Sequence, residues 1–128
     1  MKNELTKNEE RDFVTLLTLM DLGGSATKRN ALDNIIRKEF LYLSEYDYEY
    51  LPSRNEPRWE NAIAYQRNSL KERGYINNKQ NDKWEITDNG INYFNKLFND
   101  NRYGKSLNLL DSNAFIVAES IVRNRLSQ

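Results

Sequence analysis

Pro57 to Gly74 reads PRWENAIAYQRNSLKERG, and the fold turns on how this stretch is placed. Proline suits the first position of a helix, where its missing N–H had no partner to lose, with Asn55 or Glu56 near the cap, and Gly74 suits the stop. At about 100° per residue, Trp59, Ile63, Gln66 and Leu70 fall within a stripe of about 60°, the buried side of a helix running to about Arg73. The opposite side carries Asn61, Ala64, Asn68 and Lys71, flanked by Arg58, Tyr65 and Arg67. Asparagine amides suit adenine edges, and arginine and lysine suit guanine or phosphate, each good base contact giving about 1–3 kcal/mol of discrimination. Ala64 would let such a helix approach a groove closely. A plain solvated helix face is the other reading of the same residues.

Upstream, Phe13, Leu16, Leu17 and Met20 recur at helical spacing between Lys7 and Leu22, and Gly23-Gly24 permits a left-handed stop. Ala31, Leu32, Ile35, Ile36 and Phe40 repeat the pattern in a second helix, about Thr27 to Glu39, capped by Ser25 or Thr27. Leu41 to Asn55 (LYLSEYDYEYLPSRN) has no clean period and is expected to form a structured loop or a short helical turn. Downstream, Tyr75-Ile76, the polar turn NNKQNDK and then Trp84 to Thr87 predict a β-hairpin whose tip offers Lys79, Gln80, Asn81 and Lys83. Thr87 or Asp88 can cap a fourth helix with Ile91, Phe94, Leu97 and Phe98 inward. Residues 99–111 are expected to be a linker. A last helix, 112–126, places Phe115, Ala118, Ile121 and Val122 on one stripe, which either docks on the domain or pairs two chains.

The expected class is therefore mainly α with a small β-hairpin: a winged helix-turn-helix over residues 1–98 plus a C-terminal helix. In that layout the third helix enters a DNA groove and the hairpin flanks it. From Arg54 to Arg73 the five bases Arg54, Arg58, Arg67, Lys71 and Arg73 face only Glu56, Glu60 and Glu72, although the whole chain has 19 basic and 19 acidic residues. Local excess sets the field at a groove.

The 128 residues contain no cysteine and no histidine. That excludes disulfide frameworks, Cys–His and Ser–His–Asp nucleophile systems and the usual zinc ligand sets. Glu45, Asp47 and Glu49 lack the Gly and terminal Glu of a calcium loop, so no metal is expected there. The neighbouring Tyr46, Tyr48 and Tyr50, with Tyr65, can instead supply an aromatic pocket for a flipped or methylated base, whereas Trp59 belongs to the core stripe. Near the hairpin, Asp82 and Glu85 are not followed by the Glu-x-Lys element of a restriction-type nuclease, and no Gly-rich phosphate loop is present. Neither catalysis nor a cofactor is expected. No apolar run approaches the roughly 20 residues of a membrane span and Met1 to Arg11 has no signal-peptide h-region, which predicts a cytoplasmic protein without membrane contact.

The runs GGSATKRNALDNI, LPSRNEPRWENAIAYQRNSLKERGYI and WEITDNG resemble the N-terminal winged-helix domain of Mrr-type restriction endonucleases, which restrict modified DNA. The resemblance spans roughly Leu16 to Phe94 and rests on Gly23-Gly24, Pro57-Arg58-Trp59, Arg67…Leu70…Gly74 and Trp84…Thr87…Gly90. It implies binding of double-stranded DNA, methylated or not, by Arg58, Asn61, Tyr65, Arg67, Asn68 and Lys71, with Lys79 and Lys83 on the wing. It also implies a nuclease domain, fused or separate. Two other readings stand beside it: a free-standing dimeric transcriptional regulator paired through the last helix, and a winged-helix protein-interaction module that uses the acidic tyrosine loop.

Overall fold

The computed structural model describes residues 5–77, 79, 82–100 and 109–126. Helices α1 (Lys7–Asp21), α2 (Lys28–Arg37), α3 (Glu45–Tyr48), α4 (Arg58–Glu72), α5 (Asp88–Asp100) and α6 (Ser112–Leu126) accompany strands β1 (Ser25–Thr27) and β2 (Lys83–Glu85). The main helices follow the expected order. β1 is an addition: three residues are too few to carry a periodic signal.

α1 is the hub. Thr6 and Glu9 close a capping box at its start. Val14, Thr15, Thr18 and Leu19 are buried along with Phe13, Leu16 and Leu17, so the helix is covered on nearly all sides by α2, α4, α5 and α6. Phe13 lies between two rings, Phe94 of α5 at 5.1 Å and Phe115 of α6 at 5.0 Å. The stripe of α6 is thus used within the chain: Ala114, Phe115 and Ala118 are buried.

β2 pairs antiparallel with β1 (Ser25 with Glu85, Ala26 with Trp84, Thr27 with Lys83). The expected hairpin partner, Tyr75-Ile76, contributes one bridge, Ile76 to Ile86, extended by Asn77 N–H donating to Glu85 O at 2.8 Å. The ladder therefore closes on the segment after Gly24, with the 76–86 connection as the wing. Gln80 and Asn81 of its tip lie outside the described residues.

Two helix boundaries differ from expectation. Pro57 is the N-cap of α4, not its first residue, because its backbone is extended (ψ 148°), and the Arg58 N–H, which has no acceptor within the helix, donates to Glu49 O at 2.9 Å. α2 stops at Arg37 because Glu39 turns left-handed (φ 55°) and the Phe40 N–H reaches back to Ile35 O. Of the expected linker, Asn99 and Asp100 continue α5. Residues 101–108 lie outside the described residues, and 109–111 pair with 40–42. Tyr42 N–H donates to Leu109 O, Asp111 N–H to Phe40 O, and both Leu109 and Leu110 N–H donate to the buried Glu10 carboxylate.

Beneath α4 lies a polar knot. The Asp12 carboxylate, 2% exposed, accepts from Gln66 Nε2 (2.7 Å), Arg73 Nη1 and Nη2 (3.1 and 2.8 Å) and the Tyr93 hydroxyl (2.7 Å). Burial, then the hydrogen bond to Asp12, pushes the Tyr93 hydroxyl well above the ordinary tyrosine value. The folded chain therefore keeps a proton that the unfolded chain gives up above about pH 10, so this contribution to stability is complete below that pH and is lost progressively above it, as pH rises towards the higher folded-state value. Urea unfolding should show stability falling from about pH 10 upwards, and Tyr93→Phe should flatten the fall. An identical pH slope in the variant would refute the assignment.

Candidate nucleic-acid interface

Inward anchors fix the roll of α4. Trp59, Ile63, Gln66 and Leu70 are all buried, as their spacing predicts, and Gln66 is tied to Asp12 of α1. The outer side then presents Asn61, Ala64, Tyr65, Asn68 and Lys71. Tyr65 is 73% exposed, Asn68 is exposed, and Asn61, Ala64 and Lys71 are half-buried. Asn61 donates from Nδ2 to Glu56 Oε1 at 3.0 Å, which holds its amide at the start of the face.

The two flanking arginines behave differently from each other. Arg58 lays its guanidinium 4.5 Å from the centre of the Tyr46 ring, on the flank towards α3. Arg67 corrects the sequence reading: it is only 6% exposed, its guanidinium 5.5 Å from the Trp84 ring, and Nη1 donates to Asn68 Oδ1 at 3.0 Å. Burial lowers its pKa from the ordinary arginine value. It is a spacer between α4 and β2 that orients Asn68, not an outward ligand. Spacing puts Arg67 at the edge of the apolar stripe, but its direction depends on Trp84, 17 positions on in the sequence.

On the wing, Lys83 and Lys79 are exposed, as expected. Asn77 steadies this segment by accepting from Lys79 N–H at 2.8 Å and donating from Nδ2 to Glu85 Oε1 at 3.0 Å.

Lys28 and Arg29 were not among the sequence-derived candidates. Lys28 Nζ lies 3.0 Å from Glu56 Oε2, and Arg29 reaches both Glu60 oxygens, at 3.2 and 3.0 Å. The Glu60 contacts raise the Arg29 pKa; at Glu56, burial pushes the carboxyl up but Asn61, Lys28 and Arg54 outweigh it and hold it below the ordinary range. Two of the three acids that opposed the local basic excess are thereby offset by cations from α2. A signal for this was present in the sequence, since adjacent cations in the first turn of a helix oppose its dipole and need another partner.

The tyrosine loop packs α3 against α4. Ser44 caps α3 reciprocally with Asp47, Leu51 N–H donates to Glu56 O at 3.0 Å, and Tyr50 bridges Pro57. Tyr42, Tyr46, Tyr48 and Tyr50 each remain at least half exposed. The face of α4 therefore lies between two borders, the wing on the Arg67 side and the tyrosine loop on the Arg58 side.

Among the described residues, no three acids converge as metal ligands and no helix is long and apolar enough to cross a membrane. Comparison with curated proteins and with solved structures gives no match. Comparison with protein families matches residues 12–96 to the Mrr N-terminal domain, a span from the first turns of α1 to late α5 that contains α4 and the wing. With well over half its length inside that match, the chain belongs to the Mrr N-terminal domain family.

Proposed function

We propose that this chain is a DNA-binding module, the target-recognition part of an Mrr-like restriction system in the cytoplasm, acting with a fused or separate nuclease domain. α4 enters the major groove of duplex DNA and the wing contacts the adjacent backbone. The observation that carries the reading is the outer face of α4: Asn61, Tyr65, Asn68 and Lys71 around the small Ala64, with Glu56 and Glu60 of the same region offset by Lys28 and Arg29. Asn68, oriented by Arg67, is suited to read a base edge, while Lys83 and Lys79 are suited to phosphate.

Asn68→Ala should lower affinity for a preferred sequence by about 1–3 kcal/mol and relax discrimination there. Lys83→Ala should weaken all duplexes about equally and reduce the slope of log K against log salt by about 1. Anisotropy titrations that leave both affinity and slope unchanged in both variants would overturn the assignment of this face.

The exposed tyrosine loop favours a second reading, a protein-interaction module without DNA affinity. That reading loses if duplex binding persists at physiological salt. Dimerisation through α6 draws less support, because its Ala114, Phe115 and Ala118 are buried within the chain.

A further inference from the structure

Between the tyrosine loop and the first turns of α4, on the flank away from the wing, lies a cleft of about 240 Å3. Pockets for drug-sized ligands run to about 300–1,000 Å3, so this one suits a single ring system. Tyr46, Leu51 and Ala62 supply flat or apolar wall, and Arg58, Asn61 and Asp47 supply polar groups. Arg58 Nε is buried without a hydrogen-bond partner. A buried donor in that state calls for an explanation, and an acceptor on a ligand provides one. Arg11 and Arg58 outnumber the Asp47 carboxylate among the lining groups, but most of the remaining wall is aliphatic or aromatic (Leu41, Leu43, Leu51, Ala62, Tyr46), which suits a flat ring better than a bare phosphate. The ligand that fits is thus planar and edged with both acceptors and donors: an acceptor for Arg58, a donor for Asp47, and either for Asn61.

We propose that the cleft receives one nucleobase extruded from the duplex held on α4, an inference that rests on the DNA-binding reading above. Asn61 belongs to both surfaces, so the cleft lies beside the side of α4 that faces the groove. Tyr46 provides the stacking platform, its ring held in place by the Arg58 guanidinium 4.5 Å from its centre.

The test uses the full chain and two short duplexes of one sequence, one fully paired and one with a single T·T mismatch, compared by anisotropy at low salt. Extrusion is easier from a mismatch, so the mismatched duplex should bind about tenfold more tightly. Ala62→Leu, which fills the cleft with a good helix former, and Tyr46→Ala, which removes the platform, should each abolish that preference while leaving the salt slope on the paired duplex intact. Thermal melting of both variants confirms that they fold. Equal binding of the two duplexes by the unaltered chain, or a preference that survives in both variants, overturns the cleft proposal alone. No binding of either duplex overturns the DNA-binding reading, and this proposal with it.

Discussion

Asp12→Ala is expected to lower unfolding stability by about 3 kcal/mol. The low end of the range for a broken buried pair applies because the Arg73 side chain is 38% exposed and can regain water, whereas Gln66 is buried and Tyr93 half-buried. Asp12→Asn should recover little, since an amide offers one acceptor oxygen where the carboxylate serves four donor groups. Both effects are read as a lower urea midpoint with an unchanged slope. The knot joins α1, α4 and α5, so the same change should loosen the roll of α4 and weaken any contact made by its outer face. A variant with the original midpoint would show that the carboxylate does not anchor the helix.

Gly90→Ala is the second large effect, with two contributions of opposite sign. Alanine in a helix gains up to about 1 kcal/mol over glycine. Here, however, the added Cβ would collide with the backbone carbonyl of Tyr75 and come within 2.7 Å of Ile86 Cγ1. The Tyr75 carbonyl accepts from Thr87 N–H, and Thr87 Oγ1 caps α5 by accepting from Gly90 N–H. Making room would part the base of the wing from the start of α5, an overpacking penalty of about 1–3 kcal/mol that outweighs the propensity gain. Chemical denaturation should show net destabilisation of about 1–2 kcal/mol. A stabilised variant would mean that the wing base moves aside freely.

What could be read from the sequence followed from local periodicity. The stripe of α4 was legible down to the polar Gln66, because a helix fixes the directions of residues 59, 63, 66 and 70 whatever they touch. The partner of Gln66 was not, since Asp12 lies 54 positions away in chain order. The same limit explains Arg67, whose direction depends on Trp84, and β1, whose three residues become a strand only through pairing with β2. The outer face was legible as a set of residue types, and Lys28 and Arg29 as cations in need of partners, whereas the identity of those partners, Glu56 and Glu60, needed the fold. Gly90 was legible as an anchor, and the Tyr75 carbonyl above it supplies the reason.

These features share one consequence for function. The Asp12 knot sets the roll of α4, Arg67 sets its spacing from β2, and the tyrosine loop closes the other flank. A helix held from three sides presents its fourth with little conformational freedom, and preorganisation of that kind is what base reading requires.

The most direct test of the central claim is the anisotropy of the unaltered chain on a short duplex, unmodified and methylated, from about 50 to about 200 mM salt. Binding is expected, with log K falling linearly with log salt by the slope of several phosphate contacts. An absence of binding at the lowest salt would contradict the claim.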